Sequence, residues 1–119
     1  RYDDEIQFMN GVSRFNHGKT YNSKPSYYKY IVRTSSSDVK ERMIANIASE
    51  GISLPPAVYD YNCNKQKFSS HMNILNSSDK FEESVLASNS HFCLNMYNGL
   101  TDDEVSHIIS SVNRAASML

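Results

Sequence analysis

HFCLNMYNGLTDDEVSHIISSV, His91 to Val112, joins a strand-like run to a turn and then to a complete helix start. Thr101 stands where an N-cap would, and Glu104 three residues on completes the capping-box spacing. Leu100 and Val105 occupy the two positions of a hydrophobic staple, which would fix the angle at which the chain approaches the helix. Asp102 and Asp103 add negative charge to the first turn, where the helix dipole favours it. Val105, Ile108, Ile109, Val112, Ala116 and Leu119 then recur at helical spacing. The stretch predicts an amphipathic terminal helix over 102–117, docked on a strand over 90–96.

Two further β-rich runs lie upstream. YYKYIVRT (27–34) is dense in aromatic and β-branched residues, and AVYDY (57–61) follows a proline-stiffened connector. Between them SSSD (35–38) offers N-cap candidates, and Asp38 with Glu41 imitates a second capping box. Val39, Met43, Ile44, Ile47 and Ala48 make one apolar face of a helix over 38–50, which Gly51 ends. Residues 2–9 read as the end of a helix closed at Asn10-Gly11, 13–26 as a polar, turn-rich stretch, and 62–78 as an exposed loop. Asp79 to Ala87 reads as a short helix with Phe81, Val85 and Leu86 inward.

The order of elements implies an α+β fold. Its small sheet has three core strands, antiparallel or mixed, covered mainly on one face by helices. One covered face argues against a purely parallel sheet.

Composition narrows the function classes. A chain of 119 residues with 39% hydrophobic and 21% charged residues suits one globular domain with a modest core. A net charge of −1 gives no basic field for nucleic acid or an anionic membrane. No apolar run approaches the roughly 18 residues of a membrane span. The start at Arg1, with no initiator Met and in mid-helix, reads as a piece cut from a longer protein.

The two cysteines, Cys63 and Cys93, form no CxxC. They read as buried free thiols of a cytoplasmic protein, with a single disulfide as the alternative. The histidines at 17, 71, 91 and 107 lack metal-ligand spacing, and the glycines build no phosphate loop. Asp60 has no partner carboxylate for acid–base work, and His91 reads as a hydrogen-bonding residue rather than a base. Met43, Met96 and Met118 read as core filler. Tyr27, Tyr28 and Tyr30 divide between core and surface. NSKPSYYK, with Lys24 and Lys29, is a local basic-aromatic cluster of the kind that binds nucleic acid, but the chain's charge opposes that use.

Taken in order, these stretches resemble the C-terminal part of the pyridoxal-phosphate-dependent sugar aminotransferases of the DegT/StrS group. HFCLNMYNGLTDDEV resembles their strand ending in Leu-Pro-x-Tyr and the Leu-Thr-acidic-acidic-Val helix after it. YYKYIVRTSSSDVKERMIANIASEGISL resembles the preceding strand, helix and Gly-Ile connector. AVYDYNCNKQKF resembles a strand and loop usually written Val-Tyr-Glu-x-Pro-Cys-His-x-Gln-Pro-x-Phe. The similarity runs from about Tyr2 to Ala115.

The resemblance implies that residues 1–119 are the C-terminal small domain of a fold-type I enzyme. It also implies that a preceding large domain carries the cofactor lysine and binds most of the pyridoxal phosphate. The parent would transfer an amino group from an amino acid, glutamate foremost, to a nucleotide-linked keto-sugar, and would act as a homodimer. This piece alone would be inactive, with no catalytic residue of its own. Asn64, Lys65 and Gln66 are the substrate-binding candidates, bordering the nucleotide-sugar cleft. Asn64 stands where the group has His, so it keeps hydrogen bonding and loses titration. Asn62 and Asn95 stand where it commonly has Pro, and Lys67 replaces another. Two alternatives are a related sugar dehydratase, with His for the cofactor lysine, and a stand-alone ferredoxin-like binding module.

Overall fold

A computed structural model describes residues 1–15, 28–58 and 81–119. Among them the elements run α1 (Tyr2–Glu5), β1 (Val12–Arg14), β2 (Tyr30–Thr34), α2 (Ser37–Ser49), α3 (Glu82–Asn89), β3 (His91–Leu94) and α4 (Asp102–Ser117). The strands form one antiparallel sheet in the order β1-β2-β3. This is the expected α+β layer.

Register decides what each face carries. Tyr30 lies opposite Leu94 and Val32 opposite Phe92, so these four share one face. They bury there with Met43 and Ile47 of α2 and Ile108, Ile109, Val112, Ala115 and Ala116 of α4. Ile31 opposite Cys93 and Arg33 opposite His91 belong to the second face. Helices α2 and α4 therefore cover one face, and the alternation along β2 follows from that.

Both long helices start as their sequences demand, with one change of cap. In α4 the Thr101 hydroxyl accepts from Glu104 N–H at 3.2 Å, and the Glu104 carboxylate accepts from Thr101 N–H at 2.8 Å. These bonds from Thr101 hold the Glu104 carboxyl below its ordinary pKa. Leu100 and Val105 both pack against the core. In α2 the cap is Ser36, whose Oγ accepts from Val39 N–H at 3.2 Å, and not Asp38. Gly51 ends α2 at φ 82°, donating to the Ala48 carbonyl.

Several expectations are corrected. Helix α1 ends at Glu5, because Asn113 of α4 takes over its end: Asn113 Nδ2 donates to the Glu5 carbonyl and Asn113 Oδ1 accepts from Gln7 N–H. Asn10 and Gly11 do not cap it. With φ of 51° and 81°, and Val12 N–H donating to the Met9 carbonyl, they form the tight turn into β1. Glycine is favoured at 11 because φ of 81° strains any residue with a Cβ, which would also crowd the Ser35 side chain.

Residues 12–14, read in part as turn-rich, form an edge strand. Helix α3 starts at Glu82 and has no buried residue. Phe81, in a left-handed conformation before it, and Leu86 are both exposed. Met96 and Met118 are exposed too, whereas Met43 is fully buried. Of the expected strand 57–61, Ala57 and Val58 are outside the sheet, and the rest lies outside the described residues.

Thr101→Ala removes one partner of the reciprocal cap. It should destabilise the chain by about 1 kcal/mol, read as a lower urea midpoint at unchanged slope. The Glu104 part of the cap is present above the ordinary carboxylate pKa and is lost as pH falls through the depressed folded value. The difference between the two proteins should therefore shrink in acid.

Candidate functional site

Among the described residues, two concavities border the sheet. The first lies on the second face, between β2–β3 and α3, and has a volume of about 290 Å³. Phe15, Ile31, Val58 and Ala87 give it apolar walls, and Arg33, Ser84, Ser88 and His91 bring polar groups to it. The second, of about 350 Å³, lies at the strand ends, among Arg1, Tyr2, Asp3, Tyr30, Met96, Leu100 and Val105.

His91 shows how the first groove is organised. Val58 N–H donates to His91 Nε2 at 3.2 Å. That nitrogen must therefore be unprotonated, and the proton sits on Nδ1, which lies 2.8 Å from the Ala87 carbonyl. The ring is neutral, committed at both nitrogens and buried. It ties the connector before residue 59 and the end of α3 to β3, as a hydrogen-bonding residue rather than a base. Ser88 is committed as well, donating to the Val85 carbonyl. The neighbouring Cys93 is fully buried, and burial pushes its thiol up, so it is no ready nucleophile.

The second concavity is a hydrogen-bonded corner. Tyr2 and Tyr30 meet edge to face at 5.1 Å between ring centroids. Tyr2 donates to the Asn95 carbonyl and Tyr30 to Asp3 Oδ1 at 2.6 Å. Arg14 also pairs with Asp3. Burial is the main cause that pushes the Tyr2 hydroxyl up to about 12. Arg1 binds Glu5, Asp102 and Ser106, tying α1 to the first turn of α4. Asn95, in a position where the resembled group commonly has Pro, donates through Nδ2 to the Ser53 carbonyl, and its Oδ1 is buried without a hydrogen bond among the described residues.

The substrate-binding candidates Asn64, Lys65 and Gln66 lie outside the described residues, as do Asn62, Asp60, Cys63 and Lys67. Val58, just before that segment, and Ser84, shortly after it, both line the first groove. Lys29 of the basic-aromatic cluster gives its ammonium to the carbonyls of Pro56 and Ala57 at 2.8 and 3.1 Å. Arg33 was not singled out by the sequence. Its signal was a charged residue in mid-strand, between two residues that face the core.

The family model for the DegT/DnrJ/EryC1/StrS aminotransferases matches residues 1–113. The chain belongs to that family. No curated protein and no solved structure matches it. Membership supports an aminotransferase-type function, and DegT/StrS aminotransferases generally depend on pyridoxal phosphate.

The described residues do not fit that cofactor. Of their two lysines, Lys29 is held by backbone carbonyls, which bind an ammonium rather than a reactive amine, and Lys40 lines neither concavity. No group of three or more His, Cys, Asp or Glu among the described residues could hold a metal. No helix among them is long and apolar enough to cross a membrane.

His91→Ala leaves Val58 N–H without its acceptor in a partly buried place. It should cost about 1–3 kcal/mol, measured by urea unfolding, and nitrogen NMR of the native ring should show Nε2 unprotonated.

Proposed function

We propose that this chain is the C-terminal small domain of a pyridoxal-phosphate-dependent aminotransferase, whose parent moves an amino group from glutamate to a nucleotide-linked keto-sugar. The observation that carries this reading is the family match along residues 1–113, nearly the whole chain. The reading assigns the cofactor lysine and most phosphate contacts to a preceding domain, consistent with the engaged Lys29. Pyridoxal phosphate would supply the electron sink for amino transfer, and the protein its binding and orientation. This domain contributes a rigid sheet-and-helix body and, through Asn64, Lys65 and Gln66, a polar border to the sugar-nucleotide cleft. Asn64 would hydrogen-bond there and would not move protons. The active parent is a homodimer on this reading.

The test uses the full parent protein purified with pyridoxal phosphate. Given L-glutamate and no acceptor, it should release 2-oxoglutarate in an amount equal to the bound cofactor. Replacing Asn64 by Ala should raise KM for the keto-sugar by roughly 2–10-fold, the worth of one hydrogen bond, and leave the glutamate step unchanged. A parent that binds no pyridoxal phosphate, or binds it and yields no 2-oxoglutarate, would contradict the assignment.

A further inference from the structure

We propose that the groove between α3 and the second face of the sheet binds a small molecule bearing a carboxylate or phosphate, through the Arg33 guanidinium. The chain has five arginines, all among the described residues. Four of them are engaged. Arg1 pairs with Glu5 and Asp102, Arg14 with Asp3, and Arg114 with Glu50, while Arg42 donates to the carbonyls of Met118 and Leu119. Arg33 has no such partner among the described residues, yet it lines a concavity.

Its position makes that notable. β2 is the middle strand, so Arg33 is flanked across the sheet by Ser13 on one side and His91 on the other. Neither is negative, and no Asp or Glu among the described residues lines the groove. His91 is fixed neutral by its two hydrogen bonds, so it neither repels nor attracts an anion. Ile31, Val58 and Ala87 give the groove apolar walls beside the guanidinium, whose charge strengthens its hydrogen bonds to an anion. The Ser84 hydroxyl has no hydrogen-bond partner among the described residues and is a second donor at the groove.

A planar guanidinium gives two parallel N–H bonds to a carboxylate or phosphate, which a lysine would not. The volume of about 290 Å³ suits a molecule at the small end of ordinary ligands. This site requires no cofactor and no other domain, so its test is separate from that of amino transfer.

The test is an amide NMR titration of the 119-residue chain with inorganic phosphate in one arm and L-glutamate in the other. At least one probe should give saturable shifts at residues 31–34 and 84–88, and the arm with the tighter binding identifies the anion class. Arg33→Gln should weaken that binding at least tenfold, with Arg33→Lys between the two and Ser84→Ala weakened several-fold. Arg33 is exposed, so these variants should keep the native spectrum; Ser84→Ala gives a second reading that leaves the strand untouched. Absence of saturable shifts in both arms would overturn the proposal. So would binding that is unchanged in Arg33→Gln, or shifts that map to the corner around Arg1 and Tyr2.

Discussion

Burial of the α4 stripe on the face made by Tyr30, Val32, Phe92 and Leu94 is the constraint that everything else satisfies. The register of β2 against β3 selects that face. With β3 held in place, a slip of β2 by one residue would turn Ile31 and Arg33 toward the core face and bury a guanidinium among apolar side chains. The helix is fixed at both ends and in the middle. Thr101 and Glu104 hold its start, and Asn10 reaches the Ala116 carbonyl near its end. In between, Glu50 at the end of α2 accepts from Ser111 at 2.5 Å and from Arg114 at 2.9 Å. Ser111 is fully buried, so the bond to Glu50 meets a need that would otherwise destabilise the helix packing.

With one face committed to the core, the other is left for contact. It is closed over β3, where α3 and the 57–58 connector bury His91 and Cys93. Over β2 and β1 it is more open, with Arg33 and Ser13 exposed. The same alternation that makes Val32 a core residue thus puts Arg33 in a groove. Fold and candidate site are two consequences of one register.

The two long helices were legible because each declares its start and its face locally. The capping box at Thr101 is written in four residues, and the apolar stripe behind it has no second interpretation. Strand β3 was legible as the run that this helix must cover. β1 was not, because a three-residue edge strand with one buried side chain shows no alternation and is defined by its pairing to β2. The short reach of α1 depends on Asn113, far away in sequence. The exposure of α3 reversed a local reading because Phe81 leaves the helical path before the helix begins. The sites divide differently. Asn64, Lys65 and Gln66 rest on family resemblance, while Arg33 became visible only when its four fellow arginines were seen to be paired or bonded.

Native-state hydrogen exchange tests the central division most directly, since it reads the opening free energy of each segment. Amides of β2, β3 and α4 should exchange together in the slowest class, at the free energy of global unfolding. Those of α3, which buries no side chain, should exchange through a much cheaper local opening. Equal protection of α3 and α4, or early exchange along α4, would contradict a fold organised on the α4 face of the sheet.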